Sequence, residues 1–229
     1  MLPKIYGALT ELYESNAIYF TLCTGLITMA NRSYLYSTNV IPGQNAKANG
    51  RKLVGISEWN YDIPIVFKLL LSGNPQTCLS SIWDNPEEIA LVGDYSAGVK
   101  NLEEFLSQID LPEAQGLIAE AIEFLNKPEN RNQYFVLECG EIFDMGETPI
   151  LEQNLVLLEE VKNIQPEVEQ ALQSLVPPPV VPPKPVGFFS KLFGRTPEPL
   201  SSAHDVMKPV YHLGLGNWSN VLYFDFTNA

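Results

Sequence analysis

Histidine and cysteine are scarce in this chain of 229 residues, which has two histidines, His204 and His212, and three cysteines, Cys23, Cys78 and Cys139. The cysteines lack the paired spacing of metal or redox motifs, so we expect buried, reduced thiols. His212 lies in an apolar stretch and is expected to be a hydrogen-bonded structural side chain. The sequence also lacks the GxSxG, HExxH and GxxxxGK motifs, so it shows no hydrolase or transferase active site.

Long apolar runs are missing as well. The apolar run nearest the N-terminus, residues 17–28, has 12 residues, whereas a membrane-spanning helix needs about 20. Glu11 and Glu14 lie where a signal peptide would begin its apolar region. We therefore expect no signal peptide, no transmembrane helix and a cytoplasmic location.

Positive charge is scarce in the middle of the chain. Twenty of the 27 acidic side chains lie between Asp84 and Glu169, where four basic side chains leave a balance of −16. This charge argues against binding to nucleic acid or to anionic lipid, which both require a cationic surface. The pattern favours a basic protein partner. The alternative is a set of ordinary solvated helix faces, although these normally carry lysines at (i, i+4) spacing.

The periodicity of apolar residues predicts an α+β fold, with a small antiparallel or mixed sheet packed with several amphipathic helices in a single main domain. Asp62 is predicted to cap the first core helix. Leu151, Leu155, Leu158 and Val161 are predicted to form the inward stripe of a later helix. The predicted strands cover residues 32–37, 53–57 and 133–139, and the predicted helices begin near residues 62, 96, 112, 149 and 166.

The composition divides the chain into four parts. Residues 1–28 are expected to be an N-terminal extension, and residues 29–176 the α+β core domain. Residues 177–205 are expected to form a proline-rich surface excursion, because six of the nine residues from 177 to 185 are proline. Residues 206–229 are predicted to supply two strands, at 209–213 and 220–227, that complete the core sheet.

Two groups of residues are candidates for a binding site. Glu138, Glu141 and Asp144 follow the strongest predicted strand closely enough to serve acid–base chemistry or a hard metal ion, with solvated loop acids as the alternative. No other segment adds a metal-binding pattern, so we expect no cofactor and no bound metal. Aromatic residues also lie beside acids, an arrangement suited to gripping Arg or Lys unless the tryptophans fill the core. The full partner-binding set is Glu58, Trp59, Asp62, Trp83, Asp84, Glu138, Glu141 and Asp144.

Residues 187–195 (GFFSKLFGR) form a candidate membrane or docking segment. Phe188, Phe189, Leu192 and Phe193 would supply its apolar contacts, and two cations accompany them. So short a segment predicts only weak peripheral membrane contact. The alternative is a tether whose aromatic side chains fold back onto the core domain.

Several blocks resemble an uncharacterised family of bacterial proteins. They are MANRSYLY at 29–36, GISEWNYDIP at 55–64, LSGNP at 71–75 and the stretch 134–144. The resemblance covers roughly residues 29–165 and the last predicted strands, and implies a cytosolic bacterial protein without an established activity. It transfers no catalytic residue. Family members would begin at Met29, so residues 1–28 are expected to be an upstream-start artefact or an added arm.

Taken together, the sequence favours a non-catalytic acidic protein-binding module of the immunity-like or adaptor kind. One alternative is a metal-dependent enzyme that uses Glu138, Glu141 and Asp144. The other is a peripheral membrane adaptor held by residues 187–195. No small-molecule substrate is evident.

Overall fold

A five-stranded antiparallel sheet forms the centre of the fold. The computed structural model describes residues 31–44, 50–176 and 203–224, all within one unit that spans residues 31–229. The strands are β1 (Arg32–Thr38), β2 (Leu53–Asn60), β3 (Gln76–Cys78), β4 (Ala90–Asp94) and β5 (Tyr134–Glu138), in the spatial order β2-β1-β5-β4-β3. Every pair of neighbours is antiparallel.

Seven α-helices accompany this sheet in the described residues, together with a 3-10 turn at Pro112–Ala114. The predicted α+β class is therefore confirmed. The helices are α1 (Ile65–Leu71), α2 (Tyr95–Leu106), α3 (Gln115–Asn126), α4 (Gly140–Phe143), α5 (Ile150–Lys162), α6 (Gln165–Ser174) and α7 (Ala203–His212).

The alternation of side chains along the strands divides the core in two. Leu35, Leu91, Phe135 and Leu137 belong to the large cluster that includes the helices. The intervening positions project to the opposite face of the sheet, because successive side chains on a strand alternate. A smaller buried cluster lies there: Tyr36, Cys78, Ala90, Val92 and Val136.

Helix α1 lies at the centre of the large cluster. Six of its seven residues are buried, and Lys68 is the exception. Such an all-round apolar helix must be covered on every side. The predicted Asp62 cap is wrong: Pro64 occupies the N-cap position, and the carboxylate of Asp62 instead accepts a hydrogen bond from the N–H of Ile63 at 2.7 Å.

The predicted stripe of α5 is also wrong at one position. Leu158 and Val161 are buried as expected, but Leu155 is 46 % exposed. The inward position is taken by Asn154, whose side-chain amide donates to the backbone carbonyls of Glu88 and Ala90 at 2.9 and 3.2 Å. Because this inward position is filled by a polar residue, a pattern of apolar residues assigns Leu155 to the buried face in place of Asn154.

The two predicted C-terminal strands are not strands in the described residues. Helix α7 covers most of 209–213, because Val210 and Leu213 are buried in the large cluster and this burial outweighs the strand preference of the local sequence. The following segment runs beside β2 with one isolated bridge, Ser57 to Trp218. A register shift in the β1–β2 pairing interrupts this part of the sheet.

Two proposed segments fall outside the described residues. They are the N-terminal extension, residues 1–28, and residues 177–202 of the proline-rich excursion. The candidate membrane segment, with Phe188, Phe189, Leu192 and Phe193, lies in the second of them.

A close approach of α1 to α2 gives the first testable prediction. A Cβ atom at Gly98 would collide with the backbone carbonyl of Leu70, whereas one at Gly116 of α3 would meet nothing within 4 Å. We expect Gly98→Ala to lower the free energy of unfolding by about 1–3 kcal/mol through overpacking. Gly116→Ala, the matched control, should raise it by about 0.4–1 kcal/mol, because alanine narrows the unfolded ensemble. Denaturant titration measures both, and equal effects would contradict this packing.

Candidate functional site

Glu58, Tyr34 and Glu138 lie side by side on one face of the sheet. Tyr34 of β1 is paired with Glu58 of β2 and with Glu138 of β5. Directly paired residues of antiparallel strands project to the same face. The sheet therefore brings together two of the predicted acids, with a tyrosine between them that the sequence analysis did not include.

Glu138 is a buried carboxylate with only 1 % of its surface exposed. Its Oε1 atom accepts hydrogen bonds from the Tyr36 hydroxyl at 2.9 Å and from the Ser81 N–H at 2.6 Å, and its Oε2 atom accepts one from the Ser80 hydroxyl at 2.6 Å. Burial raises the pKa of Glu138, while these three bonds and the charge of Arg51 oppose the rise.

The partners of Ser80 explain why Glu138 is placed there. The Ser80 hydroxyl oxygen accepts bonds from the N–H groups of Ile82 and Trp83 at 3.0 and 2.8 Å. Its own proton remains for Glu138. The carboxylate thus anchors the turn after β3 to the end of β5, which is a structural task.

Glu141 and Glu58 converge on Arg32. The backbone N–H of Arg32 donates to the Glu141 carboxylate at 2.9 Å, and the side-chain Nε atom of Arg32 lies 3.2 Å from a Glu58 oxygen. The Tyr34 hydroxyl donates to the other Glu141 oxygen at 3.0 Å. The guanidinium of Arg32 lies 4.2 Å from the ring centre of Tyr223, whose N–H donates to Glu58 at 2.6 Å. This cluster fastens the C-terminal segment to β1 and β2.

These contacts define what the three glutamates can do. Each oxygen of Glu58, Glu138 and Glu141 already accepts a hydrogen bond or an ion pair from the protein. Asp144 follows α4 and is exposed. The described residues contain no group of three or more His, Cys, Asp or Glu side chains that could hold a metal ion, so this geometry gives the metal-dependent enzyme no support.

The predicted aromatic residues separate. Trp59 is partly buried against the large core cluster. Trp83 is 39 % exposed and its indole packs over Gly140, where a Cβ atom would collide with the ring. Asp84 is exposed, and Asp62 lies on the helical side of the molecule beside α1. The tryptophans and acids therefore do not form one continuous surface.

The thiols of Cys78 and Cys139 are free and buried, as predicted, whereas Cys23 lies outside the described residues. Burial raises the pKa of both thiols, and the negative charge of Glu138 adds to the rise. Protonated, buried thiols are poor nucleophiles. These cysteines are therefore packing residues.

A pair of cavities beside the N-terminal end of α1 is a second candidate site. Two cavities, of about 600 and about 440 Å³, share Asp62, Ile63 and Lys68 as lining residues. The larger is bounded by α6 and α7, and the smaller by α4 and α5. Pockets of this size are suited to side chains of a partner or to a small ligand.

Lys68 lines both cavities. Its ammonium group lies 2.9 Å from Glu160 of α5 and 3.0 Å from Glu167 of α6, and its side chain is 12 % exposed. Burial acts to lower the pKa of Lys68, but the hydrogen bonds and charges of the two glutamates outweigh it and raise the pKa. Sequence reasoning missed Lys68, although a signal existed: it is the one charged residue of α1.

Tyr61 stands at the mouth of the smaller cavity. Its backbone φ is 60°, in the left-handed region that a bulky residue rarely adopts, and its N–H donates to the Asn31 carbonyl at 2.7 Å. Its side chain is 59 % exposed. Strained residues of this kind cluster at functional sites. No periodicity in the sequence signals a backbone outlier, so the sequence alone does not reveal the conformation of Tyr61.

The raised pKa of Glu138 gives a pH-dependent prediction. Between the ordinary carboxyl pKa of 4.5 and the higher folded-state pKa, the folded state binds more protons than the unfolded state, so stability falls as pH rises. We expect the unfolding free energy of the wild type minus that of Glu138→Gln to decrease through this window, since Gln does not titrate. Ser80→Ala removes a hydrogen bond that lowers the pKa of Glu138. In the Ser80→Ala background, the corresponding difference is the unfolding free energy of Ser80→Ala minus that of the double variant Ser80→Ala/Glu138→Gln, and its decrease should extend to higher pH. Denaturant titrations over a pH series measure this, and a difference that rises with pH would refute it.

No described helix has the length and apolar character needed to cross a membrane. No curated protein and no solved structure matches the chain. Residues 39–178, more than half of the chain, match the family described as Domain of unknown function (DUF7822). This match agrees with the resemblance to an uncharacterised family. The chain belongs to the DUF7822 family.

Proposed function

We propose that the protein is a non-catalytic binding module of the cytosol that engages a basic protein through its exposed acids. The observation that carries the proposal is the exposure of 16 of the 20 acids between Asp84 and Glu169. We call these 16 side chains the acidic surface. They are Asp84, Glu87, Glu88, Glu103, Glu104, Asp110, Glu113, Glu120, Glu123, Glu129, Asp144, Glu147, Glu152, Glu159, Glu160 and Glu169.

Few cations neutralise the acidic surface. Within the described residues, only Glu104, Glu159 and Glu160 form ion pairs, with Lys100, Lys162 and Lys68 respectively. The first two pairs are exposed, and such pairs stabilise a fold by about 0–1 kcal/mol. The other 13 acids form no ion pair within the part of the chain that the structure describes, so no such pair there relieves their mutual repulsion. A cationic partner would remove this repulsion and would be attracted at long range.

The buried acids support the same division of roles. Glu138 is buried and Glu141 is half-buried, and both accept hydrogen bonds from the protein. Structural needs account for them. Most side chains of the acidic surface do not hold parts of the protein together in this way, as expected if they bind a partner. Immunity proteins that neutralise cationic toxins offer an analogy in charge and fold class alone.

The test compares capture by wild type with capture by a neutralised variant. Glu103→Gln, Glu113→Gln, Glu120→Gln and Glu123→Gln together change the net charge from −13 to −9. A matched variant with Ser96→Ala, Gln133→Ala and Gln173→Ala changes exposed side chains at constant charge. Each immobilised protein is exposed to a cell extract, and the retained proteins are identified by mass spectrometry between about 0.01 M and about 1 M salt, over which the Debye length falls from about 30 to about 3 Å.

We expect the wild type and the matched variant to retain basic proteins at low salt and to release them at high salt. The neutralised variant should retain less of the same proteins, because four favourable charge interactions are lost. Retained proteins that are not basic, or whose retention does not change with salt, would overturn the proposal.

A further inference from the structure

We propose that the smaller cavity beside α5 is the docking groove for a basic, amphipathic segment of the partner protein. This inference rests on the proposed function and names the place and chemistry of the contact. We call this cavity, with the exposed face of α5 next to it, the groove. The residues of the groove that would contact the segment are Tyr61, Asp62, Glu152, Leu155, Val156 and Glu160.

The groove is acidic inside. Asp62, Glu152 and Glu160 line its cavity and face a single lining cation, Lys68, so the lining charges sum to −2. Lys68 already bonds one Glu160 oxygen at 2.9 Å and is itself shared with Glu167. A guanidinium or ammonium group entering from outside would complete the neutralisation. A negatively charged ligand would be repelled.

The groove also exposes apolar surface. Leu155 and Val156 of α5 are 46 % and 60 % exposed. They share one helix face with Glu152, Glu159 and Glu160, because residues three and four apart on a helix are neighbours. Val156 lines the cavity together with Ile142 of α4. An apolar pair surrounded by glutamates is complementary to a segment that has apolar side chains beside Arg or Lys.

Tyr61 adds a second and independent observation. Tyr61 lines the cavity and is 59 % exposed, and its backbone has a left-handed conformation in which asparagine or glycine would be less strained. Its position beside Asp62 allows a guanidinium group to stack on the ring while it bonds a carboxylate. The strain is explained if the ring serves binding rather than folding.

These features select one occupant. A purely cationic segment would leave Leu155, Val156 and the Tyr61 ring in water, whereas a purely apolar one would bring no counter-charge to the carboxylates of Asp62 and Glu152. A segment that carries both kinds of side chain satisfies both. Recognition of an amphipathic segment by an apolar groove with acidic edges is a recurrent mode of protein binding.

The experiment uses the full chain and three labelled synthetic peptides: one of leucine and arginine in amphipathic order, one of serine and arginine, and one of leucine and glutamate. Binding is measured by fluorescence anisotropy at low and high salt. The variants are Val156→Ser and Tyr61→Asn, and Val176→Ser, at another strongly exposed valine, is the matched control. Thermal unfolding of each variant is recorded as well.

We expect the leucine–arginine peptide to bind most tightly, and salt to weaken its binding. Val156→Ser and Tyr61→Asn should each weaken it about tenfold, the loss typical of a central contact residue, and Val176→Ser should change it less than about twofold. Tyr61→Asn should keep or raise the melting temperature, because asparagine tolerates the left-handed backbone. A purely structural role for Tyr61 would lower it.

Other outcomes overturn the inference in distinguishable ways. If both arginine peptides bind equally and neither Val156→Ser nor Tyr61→Asn matters, the groove is rejected while a charge-driven acidic surface stands. If the leucine–glutamate peptide binds as well as the leucine–arginine peptide, or if salt has no effect, the proposed function is rejected too. If no peptide binds, the groove as a docking site for such a segment is rejected.

Discussion

Lys68 imposes the constraint on which the helical side of the molecule depends. It is the one charged residue on a helix whose other six residues are buried, so its ammonium group must find partners close to the core. Glu160 of α5 and Glu167 of α6 supply them. Burial of the Lys68 ammonium group carries a desolvation penalty, and the two partly exposed glutamates offset it through their hydrogen bonds and charges. This salt bridge links α5 and α6 to α1, and Lys68 lines both cavities.

The acids of this chain serve two different purposes. Glu138 is buried and Glu141 is half-buried on the sheet side, and both act as acceptors that fasten loops and strands to one another. Only three of the 16 side chains of the acidic surface form ion pairs within the described residues. Composition alone combines these two populations in one negative balance. Their separation by burial is what turns a charge count into a proposal about binding.

Much of the fold could be predicted from sequence. The strands β1, β2 and β5 and the helices α1 to α3, α5 and α6 follow from local apolar periodicity and from proline positions. The sequence analysis does not predict β3 and β4: β3 has only three residues, too few to show a period, and its pairing with β4 defines it. Helix α7 was misassigned because its burial depends on distant partners.

The candidate site was less accessible to sequence reasoning. The sequence predicts Glu138 and Glu141 as one group with Asp144, and Glu58 as a member of the wider partner-binding set. The donors that occupy the oxygens of these three glutamates come from residues as distant in sequence as Arg32 and Tyr223. The backbone strain at Tyr61 and the exposure of Leu155 and Val156 are visible only in three dimensions. These features distinguish a groove from an ordinary acidic helix face.

The most direct test of the account is the melting temperature of the free protein as sodium chloride is raised. If the acidic surface is uncompensated, screening relieves its repulsion, and the melting temperature of the wild type rises with salt. The melting temperature should rise less in the variant that carries Glu103→Gln, Glu113→Gln, Glu120→Gln and Glu123→Gln. A wild-type melting temperature that falls with salt, or an equal rise in both proteins, would contradict the claim that these charges are uncompensated in the free protein and can bind a positively charged partner.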